Sequence, residues 1–360
     1  MKKFISALLA IALLAGAFVC APSALSDETA QLCEEILAAE LPRLRNFQLS
    51  NGAIPMYDIR GGGQSKLSPY FSCSAALGLL AGGDLAAAES YIRWHFSHLE
   101  TEDINGLDGT IYDYTIQIDI DGTITETPAY DYDSTDSYAA LFLILLDEYL
   151  RAGGDIALLE AHREDIGRIT SAMDATRTIA LTYAKPGYKA YYLMDNCETA
   201  AGYRAAASLW DALGNPIEAL RCRWIAWLMQ TVVNLLLWNW FGGSYDYALG
   251  NATDTTVFYP DAAAQLFPVA FGLICPTGSR AKRLYQGFLE AQPQWLAGND
   301  GAFPWVILTR ATLAMGDEAA TAAYLRAVKA RYIDGEPSSR WYCQESGLAV
   351  WAAVRCLEMG

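Results

Sequence analysis

The chain alternates between apolar segments of helical period and polar segments about twelve times. Within each segment apolar residues recur three and four positions apart, which predicts amphipathic helices. The segments form six pairs: 28–41 with 71–82, 84–99 with 134–152, 155–178 with 196–213, 216–238 with 260–273, 279–291 with 303–315, and 317–332 with 344–358.

Two kinds of connection separate these segments. Short turns, such as Gly82-Gly83-Asp84 and Gly214-Asn215-Pro216, link one pair to the next, whereas long connections join the two helices of a pair. Because six pairs with differing loops carry no strict repeat, the pattern favours a closed ring of helical hairpins over an open superhelix. The predicted fold class is therefore all-α, an (α/α)6 barrel.

One long connection contains a segment with a different period. Residues 109–118 and 123–125 are rich in β-branched and aromatic side chains and flank the turn dipeptide Asp121-Gly122. This pattern predicts a small β-hairpin insertion near 109–125, over the same end of the ring as the other long connections.

The segment from Trp224 to Trp240 is strongly apolar. Gln230 and Asn234, with Arg221 and Arg223 beside them, argue against a membrane span. We therefore expect this segment to be a buried helix.

Aromatic and acidic residues cluster just before or at the start of the second helix in every pair. The six clusters are 68–71, 130–136, 192–198, 258–261, 302–305 and 341–345. Since these starts share one end of the ring, the pattern predicts a cleft there. The aromatic residues expected to line it are Tyr70, Tyr130, Tyr132, Tyr192, Tyr259, Trp305, Trp341 and Tyr342.

The N-terminus has the form of a secretory signal peptide. Lys2 and Lys3 precede an apolar run, and Ala24-Leu25-Ser26 offers small residues at a cleavage site. We expect residues 1–26 to be removed and the protein to be secreted; a lipoprotein anchored through Cys20 is the alternative. No linker interrupts the patterning, so 27–360 is predicted to be one domain.

Charge and composition narrow the function. Losing Lys2 and Lys3 takes the net charge from −16 to −18, which disfavours a nucleic-acid partner and suits a neutral glycan. The three histidines (His95, His98 and His162) form no metal or triad motif, and the cysteines show no C-x-x-C spacing. We therefore expect no metal, no cofactor and a monomer, with carboxylates carrying any chemistry.

Glycoside hydrolysis requires such carboxylates. One protonates the leaving oxygen, while another activates water or attacks the sugar. The acids available in the clusters are Asp133, Asp136, Asp195, Glu198 and Glu345.

The chain resembles the six-hairpin glycosidase superfamily. Asn51-Gly52-Ala53-Ile54-Pro55, the stretch 66–71, the stretch 131–138 and the stretch 192–198 are similar to segments of uncharacterised bacterial members. In glucoamylase-like members the acid follows an L-W-E-type step, which here is Leu193-Met194-Asp195, and the base lies at the start of the twelfth helix, where Glu345 precedes Ser346.

The resemblance thus implies Asp195 as general acid, Glu345 as base, and Asp133 or Asp136 as an alternate acid or water-positioning group. It also implies an inverting course, with about 6.5–9.5 Å between the two carboxyl groups.

Other interpretations of the same residues stay open. Asp195 with Glu198 has the spacing of a capping box, so both could serve only the helix end. Asp131, Asp133 and Asp136 could hold a structural cation. The scaffold could also be a non-catalytic glycan-binding protein, or a polysaccharide lyase, although a lyase would need a basic group to neutralise uronate.

Overall fold

A computed structural model describes residues 25–298, 303–335 and 338–360. Of the predicted signal peptide, only Leu25 and Ser26 lie within this range. The α-helices, in chain order, are α1 (Asp27–Phe47), α2 (Pro69–Ala81), α3 (Leu85–Ser97), α4 (Thr135–Arg151), α5 (Ile156–Ala161), α6 (Arg163–Ala175), α7 (Leu193–Ala212), α8 (Pro216–Val232), α9 (Phe267–Ala270), α10 (Ser279–Ala291), α11 (Thr309–Ala314), α12 (Glu318–Val328) and α13 (Cys343–Leu357).

Six helices form an inner ring. In order around it, α2, α4, α7, α9, α11 and α13 each pack against the next, and α13 packs against α2 to close the circle. The remaining helices form the outer layer, with α5 and α6 together making one outer member. The predicted (α/α)6 barrel is therefore confirmed, and the closed ring is the form the chain adopts.

The inner helices are buried on nearly every side. In α2 every residue from Ser72 to Leu80 is buried, because this helix contacts both ring neighbours and the outer layer. The outer helices keep one polar face, as the exposed side of α10 illustrates.

Glycines set the closest approaches within the ring. A Cβ on Gly78 would lie 2.3 Å from the carbonyl oxygen of Gly347, and one on Gly202 would lie 2.6 Å from the Cα of Ala140. The helix pairs α2–α13 and α4–α7 thus meet backbone to backbone, which only glycine permits.

The short turns end in helix caps. The side chains of Asp84, Asp155, Asn215 and Asp317 each accept a backbone N–H from the first turn of the outer helix that follows. Short turns with capping hydrogen bonds therefore form this end of the barrel, whereas the long connections lie at the other end.

The predicted insertion is a β-hairpin with a third strand added. Strand β2 (Tyr114–Ile118) pairs with β3 (Ile124–Pro128), with Ile118 opposite Ile124, and also with β1 (Gly63–Leu67). The hairpin is confirmed, although its first strand begins at residue 114. Strand β1 was not predicted, because its Gly-Gln-Ser-Lys start carries no β-branched side chain. Two two-residue ladders, β4 (Arg177–Thr178) with β5 (Leu181–Thr182) and β6 (Trp238–Asn239) with β7 (Ser244–Tyr245), complete the strands of the described residues.

The apolar segment around Trp224 is not the buried helix that the sequence predicts. It is helical, as α8 and a π-helical turn (Val233–Leu237), but it lies on the outside of the barrel. Its inward side is buried, whereas Trp224 and Trp227 are more than half exposed. No helix in the described residues is long and apolar enough to cross a membrane.

Candidate active site

The candidate site lies at the N-terminal ends of the inner helices. Asp136 is in the first turn of α4, Asp195 and Glu198 are in the first two turns of α7, and Glu345 is in the first turn of α13. Because α7 and α13 are three places apart in a ring of six, Asp195 and Glu345 start helices on opposite sides of the barrel.

Asp195 does not act as a helix cap. Helix α7 begins after Tyr192, whose side chain makes no capping hydrogen bond, and Asp195 occupies the third helical position. The capping interpretation of Asp195 is therefore wrong. Its carboxyl is half-buried, and its pKa is raised well above the usual value by burial first and then by the negative charges of Asp136, Glu198 and Asp133.

Two fully buried carboxyls lie beside Asp195. The Tyr70 hydroxyl donates a 2.6 Å hydrogen bond to Oε1 of Glu198, and the Ser137 amide donates one of 2.9 Å to Oδ1 of Asp136. Burial raises the pKa of each carboxyl to about 7, and the charge of Glu198 contributes to the shift at Asp136. Oδ2 of Asp136 has no hydrogen-bond partner among the described residues, which makes ionisation of this buried carboxyl more costly.

Glu345 is held from two sides. Its Oε2 accepts the Val306 amide at 2.9 Å, and the Tyr342 hydroxyl lies 3.5 Å from its Oε1. Burial raises the pKa of Glu345 to about 7, so near neutral pH the group can be in either protonation state.

Tyr70 lies between the two sides of the site. Burial first, and then the negative charges of Glu198 and Asp195, raise the pKa of the Tyr70 hydroxyl. On the other side, the Tyr342 ring packs 4.9 Å from that of Phe71, the neighbour of Tyr70, and its hydroxyl contacts Glu345, so α2 links the groups on α7 and α13.

Aromatic side chains form the outer rim. The Tyr192 hydroxyl lies 2.7 Å from that of Tyr188, and the Tyr259 ring packs 4.8 Å from the ring of Trp305. Tyr259 is 55% exposed, and its pKa is raised by burial and then by the charges of Asp195 and Asp133. Exposed rings beside carboxyls suit stacking on a sugar.

Tyr188 is a rim residue that the sequence interpretation missed. It stands four residues before Tyr192 in a loop that also contains Tyr183 and Tyr191. This local excess of tyrosine extends the cluster at 192–198 and could have identified it.

Two predicted wall residues require correction. Tyr132 is 2% exposed and donates a 2.6 Å hydrogen bond to Oδ2 of Asp103, so its ring is packed inside the loop. Trp341 is 5% exposed, and its indole N–H donates to Oε2 of the buried Glu40 on α1. Neither ring therefore faces the carboxyl site; Trp341 borders a separate cavity instead.

A third predicted wall residue, Tyr342, is also buried, with its ring against Phe71 and Phe303 and its hydroxyl in contact with Glu345. Two further predicted residues are exposed. Tyr130 is 61% exposed and packs edge-on against Tyr112. Asp133 is exposed at the surface.

The aspartates at 131, 133 and 136 do not converge on one point. Asp131 pairs with the Lys185 ammonium at 2.7 Å, whereas Asp136 is buried beside Glu198. Within the described residues, no group of three or more His, Cys, Asp or Glu side chains could hold a metal ion.

A separate cavity of about 680 Å³ lies between α1 and the segment before α13. It is lined by Arg43, Tyr57 and Trp341 among others, and none of the five candidate acids borders it. The chemistry of the carboxyls therefore defines the candidate site, rather than the size of a cavity.

Known structures share this architecture. A wild-type glycosidase superposes with a TM-score of 0.61 at 16% identity, over 93% of this chain and 98% of its own. A bacterial glucoamylase complexed with acarbose gives a TM-score of 0.62 at 14% identity, over 90% of this chain and 55% of its own. The chain has the fold of a glycosidase.

A third glycosidase structure shows the same likeness. The GH63 mannosylglycerate hydrolase from Thermus thermophilus, in complex with glucose, superposes with a TM-score of 0.56 at 12% identity, over 89% of this chain and 99% of its own. No protein-family model matches the sequence, and no curated protein matches it. The likeness to glycosidases is thus one of fold.

Proposed function

We propose that this protein is a glycoside hydrolase that cleaves an oligo- or polysaccharide, with Asp195 as the proton donor. The environment of Asp195 supports this most directly. Its carboxyl is half-buried beside two buried acids, its pKa is strongly raised, and the half-buried ring of Tyr192 and the exposed ring of Tyr259 lie next to it. A general acid must hold its proton at neutral pH, and these neighbours supply that condition.

The reaction requires a second carboxyl to act on water. In the proposed course, Asp195 gives its proton to the glycosidic oxygen as the bond from that oxygen to the anomeric carbon breaks. A water molecule attacks the anomeric carbon and passes its proton to ionised Glu345. The position of Glu345 at the start of the opposite inner helix supports this base on the other face of the sugar, and hence inversion.

Asp136 and Glu198 would act indirectly. Since their negative charges raise the pKa of Asp195, they favour its protonated form. Asp133, exposed beside them, remains a candidate for positioning water. The rim formed by Tyr188, Tyr192, Tyr259 and Trp305 would bind sugar rings by stacking.

The substrate is proposed as a neutral glycan met outside the cytoplasm. The acidic charge of the chain and the signal-peptide pattern of residues 1–26 support this, as does the presence of glucose or acarbose in structures of the same fold.

Replacing Asp195 tests the proposal. On a glycan hydrolysed by the parent protein in a reducing-end screen of α- and β-glucans, Asp195→Asn should lower kcat by roughly 10²–10⁴-fold, since the proton donor is lost. Glycan binding, measured by calorimetry, should persist. The matched control is Asp119→Asn in the β2–β3 turn, which should leave kcat unchanged.

Two results would count against this assignment. Unchanged turnover in Asp195→Asn would remove that residue from the mechanism. Binding without turnover by the parent protein, across the whole panel, would favour a glycan-binding protein on the same scaffold.

A further inference from the structure

Apolar side chains concentrate on the outer surface of α8. Eight of the eighteen large apolar side chains that are exposed in the described residues lie between positions 217 and 241. We call this set the α8 face: Ile217, Leu220, Trp224, Trp227, Leu235, Leu236, Trp240 and Phe241. The other exposed apolar side chains are scattered or border the carboxyl site.

The face is a continuous stripe along one helix. Ile217, Leu220, Trp224 and Trp227 recur three and four residues apart, and the two indoles stack with centroids 4.8 Å apart. The stripe continues to Thr231 near the end of α8, a run of about 21 Å at the rise of an α-helix, and Leu235 follows in the π-helical turn. Trp240 and Phe241 extend it at the β6–β7 turn, where the Phe241 ring is fully exposed.

The exposed area matches what a stable protein interface buries. Four aromatic and four aliphatic side chains, all more than half exposed, present on the order of 1,000 Å². A standard interface needs ~800 Å² from each partner, and the largest apolar patch on a monomer is usually roughly 300–600 Å².

Charges beside the stripe are already neutralised within the chain. Arg223 pairs with Asp211, and Arg221 pairs with both Glu218 and Asp174. Two copies can therefore bring these faces together without opposing like charges, although the whole chain carries a net charge of −16.

We propose that the α8 face is the interface of a two-fold symmetric homodimer, in which α8 packs against α8 of a second copy. A straight apolar stripe on one helix can pack against the same stripe of a second copy across a two-fold axis. The side-chain ridges of each helix then fit into the grooves of the other, and the indoles interdigitate. The proposed dimer differs from the monomer expected from the sequence. It does not depend on the proposed hydrolase activity.

An anionic membrane surface is the rival partner. Arg280 lies over the Trp238 ring at 4.0 Å, and Arg283 donates to the Gly242 carbonyl, so cations lie close to the Trp240 tip. The net negative charge of the chain opposes this alternative.

Light scattering coupled to size exclusion, on residues 27–360 over a wide concentration range, tests the dimer. We expect twice the chain mass, with dissociation on dilution. Trp227→Asp should raise the dimer Kd by roughly thirtyfold or more, as loss of a central tryptophan does. Ile120→Asp, at a fully exposed site in the β2–β3 turn, is the matched control and should leave the Kd unchanged.

Three outcomes would contradict the proposed dimer. Chain mass at every concentration overturns it, and a dimer that Trp227→Asp does not weaken, while its circular dichroism is unchanged, removes this face from the interface. A monomer that pellets with phosphatidylglycerol vesicles, and no longer does so as Trp227→Asp, assigns the face to a membrane instead.

Discussion

At the scale of single residues, burial sets the proton affinities of the site. For Asp136, Asp195, Glu198 and Glu345 alike, desolvation is the largest cause of the raised pKa, ahead of neighbouring charge. The barrel wall thus removes water from four carboxyls at once, and their mutual repulsion adds to the effect at Asp195 and Asp136.

Glu198 should make stability fall as pH rises. Its pKa is about 7 in the folded chain, against an ordinary value of 4.5, so its contribution is fully present below about pH 4.5 and is lost as pH rises through 7. Glu198→Gln keeps an acceptor for the Tyr70 hydroxyl but cannot ionise. Compared with the parent, the variant should gain up to roughly 3 kcal/mol in unfolding free energy between pH 4.5 and 8.

Urea unfolding at several pH values measures this difference. Glu358→Gln, at the C-terminal end of α13 and away from the site, is the control and should track the parent profile. Parallel pH profiles for Glu198→Gln and the parent would mean that Glu198 is ionised in the folded protein.

The sequence predicted which acids start inner helices, but not which aromatic rings face outward. Trp341 and Tyr342 are adjacent in one cluster, and the Trp341 indole turns away to Glu40, a residue 301 positions earlier. A partner so distant in the sequence cannot be predicted from the local spacing of residues. Tyr132 is likewise held by Asp103, which no pattern linked to it.

At the scale of elements, the apolar period was sufficient to find all six hairpins. It succeeded because most inner and outer helices are long and their apolar positions recur regularly, although the inner helices α9 and α11 have only four and six residues. It failed where an element is short or polar, as in β1, or where α5 and α6 divide at His162. It also could not predict that α8 keeps an apolar face outside.

Helices α2 and α13 approach each other so closely at Gly347 that we expect no side chain to fit at this position without a backbone shift. A Cβ at Gly347 would lie 2.5 Å from the Cα of Ala75 and 2.6 Å from the carbonyl oxygen of Ser74. Because backbone must move to admit it, Gly347→Ala should cost about 2–3 kcal/mol of unfolding free energy. Differential scanning calorimetry would register this as a lower Tm.

Gly287 offers the matched comparison. It lies within outer helix α10, and a Cβ there would meet nothing within 4 Å. Gly287→Ala should therefore raise stability by up to about 1 kcal/mol. A Gly347→Ala protein as stable as Gly287→Ala would contradict the close crossing.

At the scale of the whole molecule, helix α1 begins at the predicted cleavage site. Ser26 caps α1 by accepting the Thr29 amide at 3.2 Å, and its own amide donates to Glu318 on α12. Cleavage after residue 26 would remove this cap.

A chain that begins at Asp27 should thus be less stable than one that begins at Leu25. Loss of a serine cap costs ~1 kcal/mol, and the new terminal ammonium at the start of α1 opposes the helix dipole. Thermal unfolding of the two chains measures the difference, and Ser26→Ala in the longer chain should reproduce most of it. Equal Tm values for all three would show that the cap contributes nothing.

Closure of the ring through α13 has a consequence for the order of folding. Helices α1 and α2 lie in the first quarter of the chain, yet both pack against α13, and the buried Glu40 receives its hydrogen bonds from Trp341 and Ser346. Contacts so distant in sequence carry a large loop-closure entropy and form slowly. In a nascent chain, the sides of α1 and α2 that pack against α13 therefore lack their partner until residues 341–357 have been synthesised, which leaves them open to non-native contacts.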